Sequence, residues 1–231
     1  MLPQFDMNTK KDIHQLMEDV RKAHRIIYQF QDRMLQLMNR IANDYGLNHP
    51  VGRKRFSNPI GSTRRGNDYP EANLRVHDKW VWDMLYTYEF EYYFGKISRN
   101  NLNGCLMVFQ ISDNGYYLAD GHRLEEGEGG HLSKRAVNDF WSTDQSDSYL
   151  IFVFESFPQQ GHRIFLKHPK NSIVRLYGGN DDVIIEHNGE NTIVAKRFSI
   201  EDFFSRGSVG ELLEEFSNLV FSNTTFRLLD K

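Results

Sequence analysis

Cysteine is nearly absent from the chain: Cys105 is the only one among 231 residues. A single cysteine excludes a disulfide within the chain and is typical of proteins from a reducing compartment. The longest apolar runs, such as 150–154, fall far below the roughly 20 residues that a membrane-spanning helix requires. Residues 1–11 are polar and lack the apolar stretch of a secretory signal. Together these absences predict a soluble, cytoplasmic protein without contact to a membrane.

An excess of charge of one sign is also missing, because 28 Lys and Arg residues stand against 31 Asp and Glu residues. The chain as a whole therefore has no field that gathers nucleic acid or anionic lipid, although a local basic patch can do so. The short motifs of phosphate-binding loops, serine hydrolases and zinc proteases do not occur. The sequence by itself identifies neither a family nor an enzyme class.

The strongest pattern that is present is a heptad repeat near the N-terminus. Its apolar residues alternate at spacings of three and four, the period at which a helix keeps one seam towards a partner helix. A helix over 10–45 would be about 50 Å long at 1.5 Å per residue, which is longer than most single domains. We therefore expect segment 1–46 to be a self-association element, most simply of a dimer. The predicted seam consists of Ile13, Leu16, Val20, Ala23, Ile27, Phe30, Met34, Leu37 and Ile41.

The apolar stripe of this helix widens in its second half, where Leu35, Met38 and Tyr45 flank the seam. We therefore expect the narrow first half to face another helix and the second half to contact the globular body as well. Gly46 is well placed to end the helix. The alternative is a helix that packs along its whole length on its own chain. The sequence leaves the oligomer number and the helix orientation open.

Segment 47–79 is predicted to be a basic loop, since it contains several glycines and prolines and no clear period. It has no acidic residue between Asp44 and Asp68. Such a segment can contact phosphates, and nucleic acid is the candidate partner. The alternative is a solvated loop whose arginines pair with acidic residues of the body. The candidate phosphate-binding residues are Arg53, Lys54, Arg55, Arg64 and Arg65.

Residues 80–231 are predicted to form a β-rich globular body. Between Trp80 and Phe94 every second residue is large and apolar, which indicates a strand against a core rather than a platform for stacking bases. A C-terminal helix over 210–221 follows the strands. The fold class is therefore α+β, with a long N-terminal helix and a mainly antiparallel sheet of about eight strands. These predicted strands are 80–94, 105–111, 116–119, 149–157, 162–167, 172–177, 182–187 and 192–198.

One segment has the composition of a metal site. Carboxylates and imidazoles suit a divalent metal, which can activate water for hydrolysis of a phosphodiester. The spacing matches no defined site, and an acidic surface loop explains the composition equally. Glu155, on a predicted buried strand, is a further candidate, whereas Cys105 is expected to behave as a small apolar residue. The candidate metal ligands are Asp120, His122, Glu125, Glu126, Glu128 and His131, and the candidate catalytic residues are Asp120, His122 and Glu155.

Two functions follow as hypotheses from these patterns. The leading one is a macromolecule-binding protein that self-associates through the N-terminal helix and contacts nucleic acid or another protein through the basic loop. The other is a metal-dependent hydrolase of nuclease type, with a site near Asp120, His122 and Glu155. A purely structural part of a larger assembly is a third possibility, and the sequence does not decide whether the protein is an enzyme.

Overall fold

A computed structural model of the chain describes residues 10–54, 89–99, 102–115, 141–158, 176, 181–205 and 208–229. Within these residues one long helix precedes an antiparallel sheet, and two helices follow it, which confirms the α+β class. The strands pair in the order β1-β2-β3-β4-β6-β5. In chain order the elements are α1 (Lys10–Asp44), β1 (Val51–Lys54), β2 (Glu89–Arg99), β3 (Leu102–Ile111), β4 (Tyr149–Pro158), β5 (Val183–Asn188), β6 (Asn191–Ser199), α2 (Ile200–Phe204) and α3 (Ser208–Thr224).

The described part of the chain contains six paired strands, so the predicted total of about eight is not confirmed there. Strands β2 to β6 correspond to predicted strands, whereas β1 lies in the segment predicted to be a loop. Its four residues are too few and too polar to show the alternation of apolar and polar residues that is typical of a strand. They form a strand because they pair with β2. The predicted strands 116–119 and 162–167 lie outside the described residues, as do residues 80–88 and all of 172–177 except Leu176.

Strand β2 continues past Phe94 through a β-bulge. The register against β3 shifts between Tyr93 and Lys96, and Gly95 in the bulge has a φ angle of +90°. Glycine adopts this conformation without the steric cost that a side chain would add. The bulge thus allows β2 to pair with β3 as far as Arg99.

One face of the sheet is covered by α2, α3 and the second half of α1, and we call it the helix face. Here the alternating aromatic residues of β2 are buried, as their period predicted. Met34, Met38 and Ile41 of α1 are completely buried in the same cluster. The sheet residues of this cluster are Phe90, Tyr92, Phe94, Leu106, Val108, Leu150, Phe152, Phe154, Val194 and Phe198.

The opposite face of the sheet also contains a buried apolar cluster, and we call it the second face. It contains completely buried residues of β3 and β4 together with Ile184 of β5 and Leu176. Burial on both faces explains why β3 and β4 read as continuous apolar runs in the sequence. The central residues of this face are Cys105, Met107, Phe109, Ile111, Ile151, Val153, Ile193 and Ala195.

Helix α1 ends where the sequence predicts. The N–H of Gly46 donates to the carbonyl of Asn43 (3.1 Å), and the N–H of Leu47 donates to the carbonyl of Ala42 (2.8 Å). This is the Schellman arrangement, which places the residue after the helix in the left-handed region, and Gly46 has a φ angle of +63° there. The Schellman motif therefore fixes the residue at which α1 ends.

A buried polar network holds α1 against the sheet. Gln110 of β3 donates from Nε2 to Oε1 of Gln31 (3.2 Å), and the hydroxyl of Tyr92 donates to Oε1 of Gln110 (2.8 Å). All three side chains are almost completely buried. Because a buried polar group without a partner is costly, the network favours one rotation of α1 about its axis. At the far end of the helix, the hydroxyl of Tyr45 donates to the carbonyl of Leu213 in α3 (2.7 Å).

The two buried tyrosines predict a loss of stability at high pH. Burial raises the pKa of Tyr45 and of Tyr92 well above the ordinary value of about 10. Above that pH the unfolded chain releases phenolic protons that the folded chain keeps, so the free energy of unfolding falls as pH rises. Each tyrosine contributes a slope of up to about 1.4 kcal/mol per pH unit.

Urea titrations between pH 8 and pH 11 measure this slope. Tyr92→Phe should be less stable at pH 8 by about 1 kcal/mol, because it loses the hydrogen bond to Gln110, and should show a shallower slope above pH 10. If neither Tyr92→Phe nor Tyr45→Phe changes this slope, the loss of stability at high pH does not come from these two tyrosines.

Candidate functional site

The first half of α1 carries an exposed apolar stripe. Every residue from Asp12 to Ile27 is exposed or half-buried, in contrast to the second half of the helix. Ile13, Val20 and Ile27 retain 47%, 40% and 37% of their accessible surface. A row of aliphatic residues at heptad spacing is unusual on a surface that faces only water. We call this row the outer stripe, and it consists of Ile13, Leu16, Val20, Ala23 and Ile27.

The other four residues of the predicted seam pack within their own chain. Phe30 is half-buried, and its ring meets that of Phe204 edge to face at 6.4 Å between centroids. Met34, Leu37 and Ile41 belong to the core of the helix face. The second half of α1 therefore contacts the body, as its wider stripe indicated, and the surface left for a partner ends near Ile27.

Two apolar residues beside the outer stripe were not among the predicted site residues. Met17 and Ile26 are 43% and 66% exposed and lie at the positions that flank the seam on either side. Strict heptad counting omits such flanking positions. A search for apolar residues at the flanks, which most coiled coils fill with charged residues, would have found them.

The polar side of the same helix segment stabilises it without the body. The ammonium group of Lys22 lies 2.8 Å from the carboxylate of Glu18 and 3.5 Å from that of Asp19. The hydrogen bond from Lys22 lowers the pKa of Glu18. Exposed ion pairs of this kind contribute little to stability, because water screens them. They support the helix, but they do not account for the outer stripe.

The basic segment is described only at its start. Arg53 and Lys54 lie in β1, where the register places them opposite Glu91 and Phe90 of β2. They therefore belong to a paired strand at the edge of the sheet and not to a loop, which corrects the prediction for 51–54. Arg55, Arg64 and Arg65 lie outside the described residues.

Of the candidate metal and catalytic residues, the structure describes Glu155. Its side chain is completely buried on the second face, where Oε1 accepts a hydrogen bond from Nδ2 of Asn191 (3.0 Å). The thiol of Cys105, also completely buried, donates a weak hydrogen bond to Oε2 of Glu155 (4.0 Å), a polar contact that the expected role of a small apolar residue did not include. The remaining candidates lie outside the described residues: Asp120, His122, Glu125, Glu126, Glu128 and His131.

Glu155 lies far along the sheet from the end of β3. Strand β3 ends at Ile111, which pairs with Tyr149, and Glu155 lies six residues further along β4. At about 3.4 Å per residue, this separation is about 20 Å. Among the described residues, no group of three or more His, Cys, Asp and Glu side chains is arranged to hold a metal ion. Within the described residues, the outer stripe is therefore the candidate functional surface.

The sequence model of a family described as PM0109 matches residues 10–225. The chain belongs to the PM0109 family. The matched range begins at the first residue of α1 and ends just after α3, so the family pattern includes the exposed first half of α1 as well as the body. No curated protein and no solved structure matches the chain.

A search of the described helices finds none with the length and apolar character needed to cross a bilayer. The exposed apolar residues of α1 are interspersed with charged ones such as Glu18, Asp19 and Lys22. The outer stripe is thus one side of an amphipathic helix.

A divalent metal ion bound by the predicted ligands would stabilise the folded protein. If Asp120 and His122 bind a divalent cation, millimolar Mn²⁺ or Mg²⁺ should raise the melting temperature, since binding to the folded state stabilises it by about 2.7 kcal/mol at 100 times the Kd. Asp120→Ala should remove the rise. Asp144→Ala is the matched control, because Asp144 is an exposed carboxylate outside the cluster. A rise that both variants keep would exclude this site.

Proposed function

We propose that this chain is a binding protein that self-associates through the outer stripe of α1, most simply as a dimer. The observation that carries the proposal is the exposed row of aliphatic residues at heptad spacing, on a helix whose second half is fixed to the body. The cytoplasmic location is part of the same proposal.

Burial of the outer stripe is the driving force for association. Full burial of one Val, Leu or Ile side chain contributes about 1.5–3 kcal/mol. The stripe offers four such side chains in each copy, and Met17 and Ile26 add to its margins. Association also costs translational and rotational freedom, which several buried side chains together can offset. A contact of two heptads therefore suits a reversible dimer that dissociates on dilution.

In such a dimer, two copies of the body would face the macromolecular partner. For nucleic acid as that partner, the support is the basic composition of Arg53, Lys54, Arg55, Arg64 and Arg65, with no acidic residue from 45 to 67. Two linked copies bind a polymer more tightly than one, because the second contact is intramolecular. Binding of labelled oligonucleotide should weaken as salt rises and weaken further in an Arg64→Glu, Arg65→Glu variant. If neither higher salt nor the Arg64→Glu, Arg65→Glu variant weakens the binding, the proposal of nucleic acid as the partner is contradicted.

The self-association itself is tested by a charge placed in the outer stripe. Val20→Glu should raise the dissociation constant of the dimer by about 100-fold or more, because two symmetry-related carboxylates would have to be buried together. Sedimentation velocity over a range of protein concentrations measures the change. Gln29→Glu is the matched control: it introduces the same charge at an exposed position of the same helix, away from the stripe.

The folded body gives a second readout for the same variants. Val20 lies outside the core, so the melting temperature measured on dilute protein should be unchanged in Val20→Glu. If Val20→Glu keeps its fold and has the same oligomeric state as the unchanged protein, self-association through this surface is contradicted.

A further inference from the structure

We infer that the outer stripe pairs with the same stripe of a second copy in the antiparallel direction, so that the two bodies lie at opposite ends of a short helix pair. The inference rests on the proposed self-association and adds the direction and the register of the two helices. Two observations carry it: the point at which the chain's own body begins to cover α1, and the residues that lie beside the stripe.

The body limits how a second helix can lie on α1. Met34, Leu37 and Ile41 continue the heptad positions of the outer stripe, and all three are buried in the core of the helix face. A partner helix that follows the stripe towards the C-terminal end of α1 therefore meets the body near Phe30. In a parallel, in-register pair, the second halves of the two helices would face each other on the side where each already faces its own sheet. The body thus excludes that arrangement.

The antiparallel direction avoids this obstruction. The helix of the second copy then begins near Phe30, where the body starts to cover α1, and runs towards Ile13 of the first copy. Its own second half and its body lie beyond the N-terminal end of the first helix. By two-fold symmetry the same holds for the other copy, so each exposed half is covered and neither body is displaced. The shared seam from Ile13 to Phe30 is about 26 Å long at 1.5 Å per residue.

The heptad positions define the register of this pair. In an antiparallel pair, position a of one helix packs against position d of the other. With Ile13 at position a, Val20 also occupies position a and lies beside the two-fold axis, opposite Ala23 at position d of the second copy. The small side chain of Ala23 suits a close approach of the two helices at this point. The remaining layers are Leu16 with Ile27 and Ile13 with Phe30.

The residues beside the stripe suit the same register. Asp12 and Arg33 both occupy position g, and both are exposed. In an antiparallel pair the g positions of the two helices face each other, so Asp12 comes close to Arg33 of the second copy, and the symmetry repeats this contact. The guanidinium of Arg33 lies 5.8 Å from the ring centroid of Phe204, at the edge of the body where the second helix begins. The other flanking contacts, Asp19 with Ile26 and Met17 with His24, bring no like charges together.

Disulfide formation between two different cysteine variants tests the direction. In the antiparallel pair, position 16 of one copy lies opposite position 27 of the other. A mixture of Leu16→Cys and Ile27→Cys, with one of the two extended by a tag, should therefore form a covalent heterodimer in a glutathione redox buffer. Within either variant alone the two thiols lie about 16 Å apart along the pair, whereas a disulfide requires Cα atoms within about 7 Å. Each variant alone should form at least about tenfold less covalent dimer.

A mixture of Leu16→Cys and Gln29→Cys is the matched control, because Gln29 is exposed on the polar side of the same helix. Neither Leu16 nor Ile27 belongs to the core, so the melting temperature of dilute protein should stay unchanged in both variants. Cys105 is completely buried and is retained throughout.

The possible outcomes separate this inference from the proposed function. If each variant forms a covalent dimer by itself and the mixture forms no heterodimer, the antiparallel direction is overturned while self-association stands. If sedimentation shows a dimer but the mixture forms no more heterodimer than the Gln29→Cys control, the pairing of the stripe with itself is overturned. A protein that stays monomeric in sedimentation at every concentration would overturn the proposed function and this inference with it.

Discussion

The packing of the second half of α1 on the sheet is the contact on which the rest of the molecule depends. Met34, Met38 and Ile41 complete the core of the helix face, and the buried network of Gln31, Gln110 and Tyr92 favours one rotation of the helix. The Schellman end at Gly46 then fixes where the chain leaves the helix. Because an α-helix is stiff over this length, anchoring one half determines the direction of the other half and the side on which its apolar stripe lies.

A single heptad pattern thus performs two tasks along one helix. From Phe30 onwards its apolar residues bury surface against the chain's own sheet, whereas from Ile13 to Ile27 the same spacing leaves a stripe exposed. The buried half packs in the core of the helix face, and the exposed half is the surface through which we propose self-association. The proposed dimer requires both, since a stripe on an unanchored helix would have no defined position relative to the body.

Much of this fold could be predicted from the sequence, and the reasons differ between elements. Strands β3 and β4 appeared as continuous apolar runs because the sheet is covered on both faces. Strand β1 was missed, because its residues gain strand structure only from pairing with β2. Heptad spacing alone predicted the helix but could not separate Met34, Leu37 and Ile41 from the outer stripe, since a core and a partner helix require the same period. The wider apolar stripe of the second half was the signal for its contact with the body. The contact between Glu155 and Asn191 joins residues far apart in the chain, which no local pattern reveals.

Hydrogen exchange of the amides of α1, measured at several protein concentrations, tests the central claim most directly. If the outer stripe is a self-association surface, protection of the amides from 13 to 27 should rise with concentration, because pairing suppresses local opening of the helix. Amides from 34 to 44, which the body already covers, should keep a constant protection. Protection from 13 to 27 that stays the same from dilute to concentrated protein would contradict the account.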